Sequence, residues 1–352
     1  MSITADGDPL PRGPLAAADL PPDLRADLGL SVRAVHRTFG PVRALDGVDL
    51  AARTGAVTAL VGPNGSGKTT LLLILAGLLV PDAGEVRVGG IDPVTHGPAA
   101  RARTGWMPDV FGTWDSLTAR EVLLTFAAAY RLPRLDAEAR ATELLDTVHL
   151  TEFANRPASV LSRGQKQRLG LTRALVHDPD VLLLDEPASG LDPRSRVDLR
   201  ILLRRLAAEG KTVLVSSHVL TELDEMADDA VFLSGGRTVS TGTVQSAQAA
   251  LRMWRLRSLS LPTLVSWLGD VGATWLPDDD THPRAHPPGP GPAGSAPDPV
   301  DSPGGVLIRV EGEVGAAALL HAAVAAGVPV TSFAPAGGAL EQAYLALEED
   351  RR

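Results

Sequence analysis

The chain has 352 residues and a formal net charge of −9. That length suits one large domain or two ordinary ones, and the acidic balance argues against a broad nucleic-acid surface. There is no cysteine, which excludes disulfides and thiolate metal sites and suits the cytoplasm. Hydrophobic residues make up 44% but aromatics only 4%, so the core is expected to be built from Ala, Leu and Val. The N-terminus lacks the basic start and apolar run of a secretory leader. The longest strongly apolar run, residues 71–80, is too short to span a bilayer. If the protein works at a membrane, another chain must provide the spans.

In chain order, residues 1–28 are rich in Pro, Ala, Asp and Gly without periodicity and are expected to form a disordered arm. Residues 30–35 alternate and read as a strand. Residues 44–50 lead into a second, and residues 57–61 form a short buried one. An apolar helix is expected over 71–79, and a strand closed by a glycine turn over 84–90. Residues 117–131 and 136–148 carry apolar positions at helical spacing, and 162–176 is a third helix of this group. The continuous apolar run 181–184 suits a strand buried on both faces. An amphipathic helix over 193–208 precedes another buried strand at 212–216. Residues 231–233 and 238–241 form a hairpin about Gly235 and Gly236. Helices alternating with buried strands predict an α/β layer on a mostly parallel sheet, ending near residue 245. Beyond it, strands at 253–259, 306–310 and 330–333 with helices at 262–268 and 314–326 predict a small α+β domain. The Pro/Gly-rich stretch 277–303 interrupts it as a flexible loop, and its His282 and His286 have no rigid carboxylate frame to make a metal site. A last helix is expected over 339–347.

The chemistry begins at Gly62-Pro63-Asn64-Gly65-Ser66-Gly67-Lys68-Thr69, followed by Thr70. It fits G-x-x-x-x-G-K-[ST], the phosphate-binding loop, and lies between a strand and a helix as that loop requires. Glycines at 62, 65 and 67 let backbone N–H groups curl around an anion. The helix N-terminus adds unpaired N–H groups and a positive dipole end. Lys68 can reach the β- and γ-phosphates of ATP, and the Thr69 hydroxyl can ligate Mg²⁺.

Asp185 ends the buried run 181–184, where an acid can hold Mg²⁺ beside the phosphate loop. Glu186 follows directly and can polarise the water that attacks the γ-phosphate. In Leu161-Ser162-Arg163-Gly164-Gln165, Ser162 and Gln165 have the spacing of a helix capping box.

These motifs, with Ser189-Gly190-Leu191-Asp192 and His218, occur in the order and approximate spacing of ABC transporter ATPase subunits. The resemblance covers about residues 29–245. The expected architecture is a P-loop NTPase domain of the ABC ATPase type, a mixed sheet with a helical subdomain at about 110–160. A C-terminal α+β accessory domain over 246–352 follows. That domain resembles the extension of ABC-2 exporter subunits, on layout and on the run Leu340-Glu341-Gln342-Ala343-Tyr344-Leu345.

The resemblance implies a head-to-tail homodimer or heterodimer with two ATP molecules buried between subunits. Phe39 stands where the family stacks an aromatic on adenine. Ser162, Gly164 and Gln165 would meet the nucleotide held by the partner's phosphate loop, and Asp192 would lie in the loop crossing the interface. His218 would contact the γ-phosphate and orient the water with Glu186. Two positions depart from the usual pattern: Arg163 replaces a glycine, and Asp109 stands where the family has Gln, as a third Mg²⁺-side candidate. Implied too are a separate polytopic membrane permease and a peripheral place on the cytoplasmic face of the membrane. An importer subunit, a non-hydrolysing regulatory subunit, and a soluble ABC-type ATPase acting on ribosomes or DNA are the competing readings.

Overall fold

The computed structural model describes residues 28–110, 112, 116–217, 219–243, 251–278 and 304–337. The expected N-terminal arm up to residue 27, the loop from 279 to 303, and the last helix at 339–347 lie outside them. The chain divides into two compact units, Met1–Thr243 and Val244–Arg352.

In the first unit, β1 (Leu28–Phe39) and β2 (Val42–Arg53) form an antiparallel pair, and β4 (Ala83–Val88) joins the other edge of β1. Between them in sequence run β3 (Val57–Val61) and helix α1 (Lys68–Leu75). Helix α2 (Gly97–Ala102) leads to β5 (Thr104–Met107). Then come α3 (Ala119–Ala129), α4 (Arg134–Thr147), two single 3₁₀ turns, and α5 (Arg163–Leu175). β6 (Val181–Asp185), α6 (Pro193–Ala208), β7 (Thr212–Ser217), α7 (Leu220–Asp224), β8 (Asp229–Ser234) and β9 (Arg237–Thr243) complete the unit.

The second sheet has the order β5-β6-β7-β3-β8-β9. Its pairs are parallel except β8 with β9. Every residue of β3, β6 and β7 is buried, which is why these strands read as continuous apolar runs rather than alternations. Helix α1 touches β2 and β4 of one sheet and β6 of the other. Leu71, Leu72, Ile74 and Leu75 therefore meet Leu30, Val32, Leu45 and Val48 from one side and Leu60, Leu183 and Leu214 from the other in one core cluster.

The expected helix over 71–79 is corrected at both ends. It starts at Lys68, because the helix begins within the polar loop where no apolar period is visible. It stops at Leu75, with Ala76 as its C-cap, after which Gly77 adopts φ +66° and Leu78 is 57% exposed. The elements α2, β5 and α7 were not foreseen; each is too short to show a period.

The second unit consists of β10 (Leu251–Ser258), α8 (Leu261–Asp270), β11 (Trp275–Pro277), β12 (Gly304–Glu311), α9 (Gly312–Ala325) and β13 (Val330–Pro335). The sheet order is β11-β12-β10-β13, with every neighbour antiparallel. This β-α-β-β-α-β arrangement is a pair of split β-α-β units. Its core gathers Trp254, Leu256, Leu264, Trp267, Val306 and Ile308.

Where α5 ends, His177 and Tyr130 stack with centroids 3.6 Å apart and planes 2° from parallel. His177 Nε2 donates to the Thr104 carbonyl (3.2 Å), tying the helices between β5 and β6 back to the sheet. Burial pushes the imidazole down from 6.5 to about 4, although the Thr104 bond and Asp178 oppose the shift. The unfolded chain therefore takes up this proton more readily, so stability is full above the unfolded value and is lost as pH falls from 6.5 towards 4. The melting temperature of the parent is expected to fall more steeply over that window than that of His177→Gln, which keeps a donor for Thr104. Parallel pH profiles would remove His177 from this role.

Candidate active site

The loop between β3 and α1 is pressed against the rest of the unit. Gly67 has φ +103°, and a Cβ there would stand 2.6 Å from the Ala44 carbonyl oxygen and from Leu45 Cδ2. Gly67 is also the N-cap of α1, with no side-chain cap and no acidic residue in the first turn. The first N–H groups of α1 thus keep their partial positive charge for an external anion. Lys68 is only 7% exposed. Its Nζ donates to the carbonyls of Gly62 (2.7 Å) and Pro63 (3.1 Å). Burial pushes the ammonium below the usual lysine value, and the charges of Glu186 and Asp185 oppose that shift. Ser66 Oγ is buried without a hydrogen-bond partner. An orphaned hydroxyl, an uncapped helix start and a buried ammonium in one loop form the donor set that a polyphosphate fits.

Asp185, 3% exposed, ends β6. Both of its carboxylate oxygens are held. Oδ2 accepts from Thr69 Oγ1 (2.9 Å), and Oδ1 accepts from Ser216 Oγ (2.5 Å). Strand register explains the meeting: Ser216 of β7 lies opposite Asp185 on one side and Leu60 of β3 on the other. Glu186 is the next residue and turns sharply, with φ +50°, a region that costs a non-glycine residue energy. Its N–H donates to the Ser216 carbonyl (3.2 Å) and Ser216 Oγ (3.1 Å). Its carbonyl accepts from Gln167 Nε2 (2.9 Å). Ser216 and Gln167 were missed in the sequence. For Ser216 a signal existed, since a hydroxyl ending a buried strand next to a chemical residue belongs to the carboxyl edge where α/β sheets place their ligands. Nothing distinguished Gln167 from an ordinary helical glutamine.

Ser162 and Gln165 form the capping box of α5: Ser162 Oγ accepts from the Gln165 N–H (3.3 Å), and Gln165 Oε1 accepts from the Ser162 N–H (2.8 Å). Asp192 caps α6, taking the Ser195 N–H (3.1 Å) and hydroxyl (2.6 Å), and these bonds hold its carboxyl below the usual range. Among the described residues no hydrogen bond joins Ser162, Gly164 or Gln165 to the loop at 62–70. Phe39 ends β1 and is 45% exposed, with the Arg37 guanidinium 4.7 Å from its ring centroid; it is not a core residue. Asp109 is exposed, two residues past the end of β5, and forms no bond to Thr69 or Asp185. Met107 pairs with Leu184, so Asp109 lies at the same end of the sheet as Asp185. His218 lies outside the described residues.

Residues 45–189 match the ABC transporter family. The daunorubicin resistance ATP-binding protein DrrA3 of Streptomyces coeruleorubidus is 38% identical over 64% of this chain and 71% of its own length. The Nod factor export ATP-binding protein I of Ralstonia nicotianae is 36% identical over 60% of this chain and 66% of that protein. The sulfate/thiosulfate import ATP-binding protein CysA of Mycolicibacterium paratuberculosis is 40% identical, over 62% of this chain and 60% of that protein. A dimeric ATP-binding cassette, solved in a post-hydrolysis state with ADP and Pi, superimposes with TM-score 0.56 at 30% identity, covering 61% of this chain and 98% of that one. The chain belongs to the ATP-binding subunits of the ABC transporter family and is an ATPase.

Proposed function

We propose that this subunit binds ATP at the 62–70 loop, closes with a second ATPase subunit around two nucleotides, and by hydrolysis powers an exporter whose membrane spans lie on a separate chain. The observation that carries the catalytic part is the Thr69–Asp185–Ser216–Glu186 network at the carboxyl edge of the sheet, beside the uncapped start of α1. Lys68 and the α1 N–H groups take the phosphates, Ser66 Oγ gains the partner it lacks, and Phe39 presents a ring to adenine. Thr69 and Asp185 offer two hard oxygens within hydrogen-bond distance of each other, and Mg²⁺, which keeps several waters, fits such a sparse set. When bound it supplies charge neutralisation on the phosphates. Asp109, at the same end of the sheet, adds a third carboxylate to that side.

Glu186 is the general base. Its backbone is held at N–H by Ser216 and at C=O by Gln167, which aims a short-lived task, proton removal from the attacking water, at one place. His218 assists from the residue after β7. Ser162, Gly164 and Gln165 bind the nucleotide of the partner subunit: the α5 start is already capped, so its geometry is set before the anion arrives. Asp192 lies in the loop that crosses the interface.

No described helix is long and apolar enough to cross a membrane. The place proposed for the subunit, peripheral on the cytoplasmic face of a polytopic permease, is supported by its kinship with transporter ATP-binding subunits. Export is favoured by the Nod factor relative and by the accessory domain after residue 245; the import relative at 40% identity supports the second reading. Gentle affinity purification from native membranes separates the two. A polytopic protein without an extracellular solute-binding protein supports export. A bound solute-binding protein supports import, and ribosomal or DNA-repair components without a membrane protein overturn transport.

Two substitutions test the site. Glu186→Gln is expected to lower steady-state ATP turnover by about 10²- to 10⁴-fold while ATP still binds and the dimer accumulates on light scattering; undiminished turnover removes Glu186 from catalysis. Lys68→Ala is expected to weaken nucleotide binding itself, read as a loss of fluorescent ATP-analogue affinity, whereas unchanged affinity would take Lys68 out of the phosphate site.

A further inference from the structure

The stretch Glu186–Asp192 carries the proposed base at one end and the interface-crossing loop at the other. It is folded as two successive tight turns: the Ser189 N–H donates to the Glu186 carbonyl (3.0 Å) and the Leu191 N–H to the Ala188 carbonyl (3.2 Å). The start of α5 lies along it and grips it twice. Gln167 Nε2 holds the Glu186 carbonyl at 2.9 Å. Arg163, four residues earlier and on the same helix face, donates from Nη2 to Ser189 Oγ at 2.8 Å.

The grip is steric as well. Gly190 has φ +73°, and a Cβ there would stand 2.8 Å from Arg163 Nε, 2.9 Å from Cδ and 3.1 Å from Cγ. The arginine stem therefore lies in the space that any side chain at 190 would occupy. A Cβ on Gly164 would stand 3.2 Å from the Gly190 carbonyl oxygen, so helix and loop are in near-backbone contact there.

We infer that Arg163 is a positioning residue for ATP hydrolysis: with Gln167 it clasps the 186–190 turn to the start of α5. Engagement of that helix start by the partner's nucleotide then sets Glu186 in its own subunit. The inference rests on the reading of Glu186 as base and of Ser162 and Gly164 as the partner-facing contacts. Physically, Glu186 is held at an unfavourable φ, and such a conformation persists only where its surroundings over-determine it. Gln167 Nε2 and the Ser189 N–H both hold the Glu186 carbonyl, but neither bonds the far side of the turn to α5. The Arg163–Ser189 bond closes that side. An arginine suits the task, because its long stem spans the loop and its planar head donates sideways to a hydroxyl.

The test uses the full-length chain together with the proteins that co-purify with it, and compares Arg163→Ala, Ser189→Ala, their combination, and Ser189→Thr. Arg163 is exposed, so these substitutions leave the core intact. The expected result is a fall in kcat of about three- to tenfold for either alanine variant, with KM for ATP unchanged. The double variant is expected to be no worse than the worse single one, as for two ends of one bond. Ser189→Thr, which retains the hydroxyl, is expected to keep the parent rate. A raised KM with unchanged kcat would overturn the inference by placing Arg163 on phosphate instead, as would multiplicative losses in the double variant or parent-like kinetics in all. If the parent itself does not hydrolyse ATP, the catalytic reading falls and takes this inference with it; if the parent is active and Glu186→Gln is not, the inference alone is decided by these variants.

Discussion

The Asp185 carboxylate is the point on which the site depends. It is almost fully buried, and a buried carboxylate is tolerated only when its oxygens are satisfied. One oxygen is taken by Thr69 from the first turn of α1, the other by Ser216 from β7. The same Ser216 hydroxyl then accepts the Glu186 N–H. A single acidic group thus ties the helix behind the phosphate loop to two strands and, through Ser216, to the backbone of the residue proposed as base. Withdrawing any partner would leave a charge or a hydroxyl buried without compensation.

That arrangement is possible because of what lies under it. The α1 helix shows leucines and isoleucine to two sheets at once, so its axis is set by packing from both sides. Close packing of this kind leaves little freedom for the N-terminus. Gly67 and Gly62 let the loop approach neighbouring backbone, at the Ala44 and Leu233 carbonyls, more closely than any side chain would permit. The parallel order β6-β7-β3 then brings Asp185 and Ser216, 31 residues apart in the chain, to the same edge as Thr69, which is 116 residues from Asp185.

The second unit is built differently, and its ionic detail has the same logic on a smaller scale. Asp278 is buried and lies 3.0 Å from Arg255 Nε and 3.5 Å from Arg257 Nη2. Both arginines come from β10 and project from the same face, since their spacing is two residues along a strand. The unit therefore has its own hydrophobic core and its own buried carboxylate, held by two partly exposed arginines.

The sequence by itself determined the phosphate loop, the Asp185–Glu186 pair and the capped start of α5, because each is local: a spacing of glycines, an acid at the end of an apolar run, a serine three residues before a glutamine. It also determined most long elements, since 3.6-residue and continuous apolar patterns survive in a single chain segment. Tertiary structure decided the rest. Ser216 and Gln167 acquire meaning only when β7 and α5 are laid beside Glu186. Arg163 reads as a departure from a motif until Ser189 and Gly190 are seen beneath it. The early start of α1 and the short β5 were hidden because a helix entered through a glycine loop and a four-residue edge strand carry no period. Local pattern specifies which residues are equipped for phosphate chemistry; sheet order and register, set by long-range burial, specify which of them meet.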